Sequence, residues 1–172
     1  MKKVLICLII GLSALYAEKP KDWNEPPYIK HLIAHYETKA DLPRGLAHCI
    51  AYSESRFKPN ARSRVVGGYR SDGLFQEYRK YLYGDNGLIA RFSDIPQNEY
   101  KWNNPNHSAE VGCNYLAYLI KYWNGSVYLG VLSYTYGMDN VKNIKSLDSI
   151  PKECRDYADQ VLFLLDNYQE TW

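Results

Sequence analysis

Arg44–Phe57 reads RGLAHCIAYSESRF, and its spacing predicts a helix that carries a carboxylate where an apolar residue belongs. Leu46, Cys49, Ile50, Ser53 and Phe57 recur at helical spacing and draw one face. Glu54 falls on that face, four residues after Ile50 and three before Phe57. A glutamate turned toward a core loses hydration, its charged form becomes costly, and its pKa rises. A carboxyl still protonated near neutral pH is what a general acid for glycoside cleavage requires. The plainer alternative is a solvated glutamate at a helix end, just before the break at Pro59.

Outward from this helix the pattern stays helical. Asp41 and Pro43 are expected to start it. Before it, Ile29, Leu32, Ile33 and Tyr36 share one face of a first helix, preceded by a polar lead-in over residues 18–27 that Pro20, Pro26 and Pro27 keep irregular. After it, Lys58–Gly73 reads as a long polar loop with Gly67, Gly68 and Asp72 as turn residues. Residues 77–104 mix tyrosines, charges and the turn signal Asp85–Asn86–Gly87, and predict short helices and loops.

Ser108 is a candidate cap for a third long helix that buries Val111, Tyr115, Leu116, Leu119 and Ile120. Asn124 and Gly125 end it, Ser126 caps the next helix as far as Gly137, and a last helix starts near Pro151. No βαβ alternation, hairpin series or internal repeat interrupts this order, so the fold class is mainly α, with one domain over residues 28–172.

The chain has 172 residues, enough for one compact domain with a real core. Its start, MKKVLICLIIGLSALYA, has two lysines, an apolar run from Val4 to Leu15 and a small residue at Ala17. This layout predicts a secretory signal peptide over residues 1–17 and a periplasmic or secreted protein. Leu15 is a poor residue three positions before the cut, so an uncleaved membrane anchor is the alternative.

Of the 21 basic residues, Lys2 and Lys3 lie in this leader, which leaves 19 against 19 acidic ones. A balanced domain lacks the broad basic footprint that nucleic acid needs. Cys49, Cys113 and Cys154 remain after the leader. Export permits a disulfide among them, yet Cys49 and Cys113 sit on faces expected to be buried and read as small hydrophobes. No cysteine–histidine spacing suggests a metal. The 17 tyrosines suit a carbohydrate cleft, where aromatic faces stack on sugar C–H faces, as well as they suit ordinary packing.

Four blocks in order then resemble the catalytic domain of the soluble lytic murein transglycosylases, relatives of goose-type lysozyme. SESRFKPNARS (Ser53–Ser63) is similar to the family's first block, a Glu-Ser pair followed by an aromatic, a Pro-Asn pair and a serine. GLFQ (Gly73–Gln76) resembles Gly-Leu-Met-Gln, with Phe75 for methionine. NPNHSAEVGCNYL (Asn104–Leu116) follows the pattern Pro, Gly, Tyr-Leu, with Ser108 where the family usually has asparagine. SYTYG (Ser133–Gly137) resembles Ala-Tyr-Asn-Ala-Gly, with Thr135 for the asparagine, and RDYADQVL resembles the closing helix with Tyr157 in its tyrosine position.

The resemblance covers residues 28–168. It implies a lysozyme-like helical fold, a cleft that binds peptidoglycan glycan strands, Glu54 as the single catalytic acid/base, and neither metal nor cofactor. Ser63, Gln76, Tyr115, Tyr134 and Thr135 are then substrate-binding candidates. Tyr134 is expected beside Glu54 with its hydroxyl orienting the carboxyl, although it fits the core equally well, and Ser63 fits loop capping equally well.

Asp72, just ahead of the Gly-Leu-x-Gln block, is the candidate for a second carboxylate that would activate water. A water-using muramidase or chitinase-like hydrolase, or an inactive glycan-binding protein, are the competing functions. The small, monomeric domain expected here also fits local wall opening for a secretion or motility apparatus, though the sequence names none.

Overall fold

The computed structural model describes residues 19–168. The leader expected at residues 1–17 lies outside them. Seven helices and one two-stranded ribbon follow one another: α1 (Pro27–Lys39), α2 (Leu46–Ser55), β1 (Ser71–Asp72), β2 (Glu77–Tyr78), α3 (Leu88–Phe92), α4 (Pro105–Tyr122), α5 (Val127–Tyr136), α6 (Met138–Lys142) and α7 (Lys152–Asp166). The class is mainly α, as the sequence pattern requires. Helix α4 packs on α1, α3 and α5; α5 packs in turn on α6 and α7, and α2 lies against α1 and α7. Among the described residues no helix is long and apolar enough to cross a membrane.

The core follows the apolar stripes. Leu46, Cys49 and Ile50 of α2 are fully buried with Ile29 and Ile33 of α1, Leu116 of α4, Leu132 of α5 and Val161 of α7. Cys49 and Cys113 are buried free thiols, and Cys154 is also unpaired. A smaller cluster of Leu82, Ile89, Tyr100 and Val111 fixes the segment between β2 and α4, where a 3-10 turn at Arg79–Tyr81 and α3 are the expected short helices.

The irregular lead-in does more than introduce α1. Its Trp23 is buried and stacks on Tyr52 with ring centroids 4.6 Å apart, while Asp22 accepts a hydrogen bond from the Tyr52 hydroxyl at 2.5 Å and pairs with Arg56.

Two helix starts differ from expectation. Helix α2 begins at Leu46, not at Asp41, because Glu37 reaches from α1 and accepts the Gly45 and Ala47 N–H groups, each at 2.8 Å. A carboxylate from a neighbouring helix thus does the work of an N-cap, and it lies on the favourable end of the helix dipole. Helix α4 is capped by Asn104, whose side chain accepts the Asn106 N–H, with Pro105 at the first turn. Ser108 therefore falls inside the helix and is fully buried. Ser126 caps α5 as expected, accepting the Leu129 N–H at 3.3 Å.

The Gly73–Gln76 turn is pressed against α4. Gly73 has φ +88°, and a Cβ there would stand 2.5 Å from the Trp102 carbonyl oxygen. On the facing helix, a Cβ at Gly112 would stand 2.6 Å from the Phe75 ring. Glycine at both positions lets the turn seat Phe75 in the core with no exposed surface.

Candidate active site

Glu54 occupies the last turn of α2, half-buried, with α7 across from it. Tyr157 of α7 donates its hydroxyl to Glu54 Oε1 at 2.5 Å. No lysine, arginine or histidine pairs with the Glu54 carboxyl among the described residues. Burial pushes its pKa up to about 7, and the Tyr157 hydrogen bond opposes that rise because it favours the ionised form. The carboxyl is therefore protonated in mildly acidic and near-neutral water, yet has a donor ready for the carboxylate it becomes.

Tyr134 does not fill that donor role. Its hydroxyl donates to the Phe75 carbonyl at 2.7 Å, so it ties α5 to the Gly73–Gln76 turn. Burial, with the charges of Glu77 and Glu54, holds its ionisation well above the ordinary phenol value. Tyr157 takes the place beside Glu54 that Tyr134 was expected to take. The sequence contained the signal, since Tyr157 lies in the block resembling the family's closing helix.

Beside these groups runs a groove of about 560 Å³. Gln76, Glu77 and Tyr78 form one side, and Tyr115, Tyr134 and Thr135 lie on others. The sequence-predicted residues Gln76, Tyr115, Tyr134 and Thr135 are thus brought together. Glu54 does not line the groove itself, but Tyr134 and Glu77, which feel its charge, do. Gln76 holds a left-handed backbone (φ +51°) and donates its side-chain amide to the Ala61 and Gly73 carbonyls at 3.1 and 2.8 Å, which leaves its amide oxygen free of these bonds.

Two expected site residues are elsewhere engaged. The Ser63 hydroxyl accepts the Ser71 N–H at 2.9 Å and donates to the Arg64 carbonyl at 3.0 Å, in an exposed loop and not on the groove wall. It closes the base of the hairpin in which Val66 pairs with Tyr69. Asp72 is fully buried, and its carboxylate faces the guanidinium groups of Arg62, Arg70 and Arg79. Three guanidinium groups around one buried carboxylate make it a structural anchor, an arrangement poorly suited to proton abstraction.

Glu77, which the sequence pattern did not single out, is a buried carboxyl on the groove wall, which Asp139 also lines. It follows the Gly73–Gln76 turn, is 5% exposed, and both its oxygens lie within hydrogen-bond range of the Ser108 hydroxyl, at 2.8 and 3.0 Å. The same hydroxyl accepts the Phe75 N–H at 3.0 Å. Burial, with added repulsion from Glu54 and Asp72, pushes Glu77 up to about pKa 8.

A helical domain with a desolvated glutamate, a tyrosine donor and a tyrosine-lined groove is the arrangement of a glycan-cleaving enzyme of lysozyme type. The family model "Transglycosylase SLT domain" matches residues 31–154, well over half of the chain, and the protein belongs to that family. Its family-level activity is transglycosylase cleavage of peptidoglycan. Comparison with curated proteins gives no match.

The Tyr157–Glu54 bond carries a prediction. A hydrogen bond to a charged group contributes about 1.5–3 kcal/mol, so Tyr157→Phe is expected to slow turnover by about tenfold or more. Removing a donor that favours the carboxylate also raises the Glu54 pKa, so the alkaline fall in activity shifts to higher pH. A pH–rate profile on purified sacculi checks this. A slower variant whose alkaline limb stays in place would reduce Tyr157 to a packing role.

Proposed function

We propose that the protein is a lytic transglycosylase that cleaves the β-1,4 bond between N-acetylmuramic acid and N-acetylglucosamine and leaves 1,6-anhydromuramic ends. The observation that carries this reading is the state of Glu54: a half-buried carboxyl without a cation, protonated up to about pH 7 and served by one tyrosine donor. In the proposed reaction Glu54 gives its proton to the glycosidic oxygen as the bond to the anomeric carbon breaks. The substrate's own N-acetyl group assists at that carbon. The Glu54 carboxylate, held by Tyr157, then takes the proton of the muramic C6 hydroxyl while that oxygen closes on the anomeric carbon. The cycle returns Glu54 to its protonated state and consumes no water.

Gln76, Tyr115, Tyr134 and Thr135 contact the strand in this reading, with tyrosine faces against sugar rings and the Gln76 amide oxygen as an acceptor. Ser63 and Asp72 shape the loop beside it. The leader over residues 1–17 directs the protein out of the cytoplasm, to where peptidoglycan lies.

Mass spectrometry of muropeptides released from purified sacculi tests the chemistry. The expected products end in anhydromuramic acid, one water lighter than reducing-end products. The second carboxyl at Glu77 favours a rival, since water-using glycosidases work with two. Reducing ends would establish that hydrolase and refute the transglycosylase.

A further inference from the structure

An aromatic row runs out of the groove along the hairpin over residues 62–72. Tyr81, on the 3-10 turn, and Tyr78, on β2, both line the groove, with ring centroids 5.7 Å apart. Tyr69 continues the row from the hairpin, 6.1 Å from Tyr78, and lies beyond the lining residues. Both ring pairs are near edge-to-face, at 62° and 67°, which leaves more ring face open than stacking would. Tyr81 is 58% exposed and Tyr69 45%.

The arm that carries Tyr69 is braced. The Tyr78 hydroxyl donates to the Val66 carbonyl at 3.0 Å. Val66 and Tyr69 exchange backbone hydrogen bonds at 2.7 and 3.1 Å. At the base, the Asp72 carboxylate gathers Arg62 and Arg70 from the hairpin and Arg79 from the turn that follows it. A surface held in place has little freedom left to lose on binding. Pairing within the hairpin accounts for Tyr69 beside Tyr78. It does not account for Tyr81, which lies outside the ribbon and is the most exposed of the three.

We propose that the hairpin extends the glycan site: Tyr81, Tyr78 and Tyr69 form a track on which further sugar units of the strand in the groove stack, so that the protein favours long strands over short oligomers. This rests on the groove being the seat of glycan cleavage. The occupant follows from continuity. The row begins among the groove-lining residues, and Ser71 at the hairpin's end lines the groove as well, so a strand leaving by that end passes over the tyrosines. Their rings offer apolar faces to sugar C–H groups, and their hydroxyls can bond the sugar oxygens.

Binding is read in a Glu54→Gln background, to hold strands without cutting them. The two ligands are long glycan strands stripped of stem peptides and a tetrasaccharide of the same repeat. Long strands are expected to bind more tightly. Tyr69→Ala should weaken long-strand binding by about fivefold, the scale of one aromatic contact, with tetrasaccharide affinity kept at its starting value. Tyr69→Phe keeps the ring and should keep the preference. A Tyr69→Ala protein that retains the full long-strand preference, or loses affinity for both ligands alike, overturns the proposal. Equal affinity for the two ligands before any change at Tyr69 overturns it too and gives the row to another occupant.

NMR of the tyrosine rings with the hairpin unaltered is the second measurement, and it decides the matter if Tyr69→Ala fails to fold. The Tyr69 resonance is expected to shift with long strands and to stay in place with the tetrasaccharide. An unmoved Tyr69 resonance in protein saturated with long strands would refute the track. Reducing-end products from the parent would replace the transglycosylase by a hydrolase and leave the length comparison to decide the track. A protein that binds neither ligand would defeat the glycan reading and the track together.

Discussion

Glu54→Gln is expected to lower glycan cleavage by about 10³-fold or more, since it removes a group that serves as both acid and base and each role contributes about 10²–10⁴-fold. An amide cannot give a proton to the glycosidic oxygen or take one from a hydroxyl. The same change is expected to stabilise the fold at alkaline pH. In the native state the Glu54 carboxyl holds its proton up to about 7, against an ordinary value of 4.5.

Between those values the folded protein binds more protons than the unfolded chain, so its stability falls as pH rises through the window. A glutamine does not titrate. The variant should match the parent near pH 4 and exceed it near pH 8, by on the order of 2 kcal/mol. Clearance of sacculi measures the first effect and thermal melting at the two pH values the second. A well-folded Glu54→Gln protein that clears sacculi at the parent's rate would remove Glu54 from the mechanism.

What the sequence revealed depended on how local the cause was. Helical stripes placed the buried faces of α1, α2 and α4, because a periodic pattern reports on the residues that carry it. Ser126 and Gly137 bound α5 as expected, since caps act within a few positions. The misplaced start of α2 arises from Glu37, a cap delivered by another helix.

Ser108 and Asn104 both suit a helix start, and only the buried contact between Ser108 and Glu77, 31 residues apart, explains why the serine lies inside. Glu77 follows a turn and begins a strand of two residues, too short for any period to show which way its side chain points. Glu54 was legible because a long apolar face surrounded it. Its tyrosine donor, 103 residues away, was visible as a motif position but not as a partner.

Asp72→Asn is expected to act on stability far more than on chemistry. The Asp72 side chain is 1% exposed, and Nε atoms of Arg62 and Arg70 lie 3.5 and 3.4 Å from its Oδ1, with Arg79 close against Oδ2. Removing its charge leaves three guanidinium groups crowded together without their shared anion. Breaking a buried ion pair by deleting one partner costs about 3–5 kcal/mol. The arginine side chains are 42, 32 and 35% exposed, so water takes over part of their solvation and the lower end applies. A loss of about 3 kcal/mol corresponds to a melting temperature lower by roughly 10 °C in a domain of this size.

The damage should centre on the ribbon, because Asp72 pairs in register with Glu77 and bridges to Arg62. Below the new melting point the rate should stay within about tenfold of the parent, since an acid already committed to three cations is not free to activate water. The alkaline limb set by Glu54 should persist. A variant as stable as the parent but slower by about 10² or more, in a protein whose products carry reducing ends, would make Asp72 the base of a hydrolase and reverse the argument from its ion pairs.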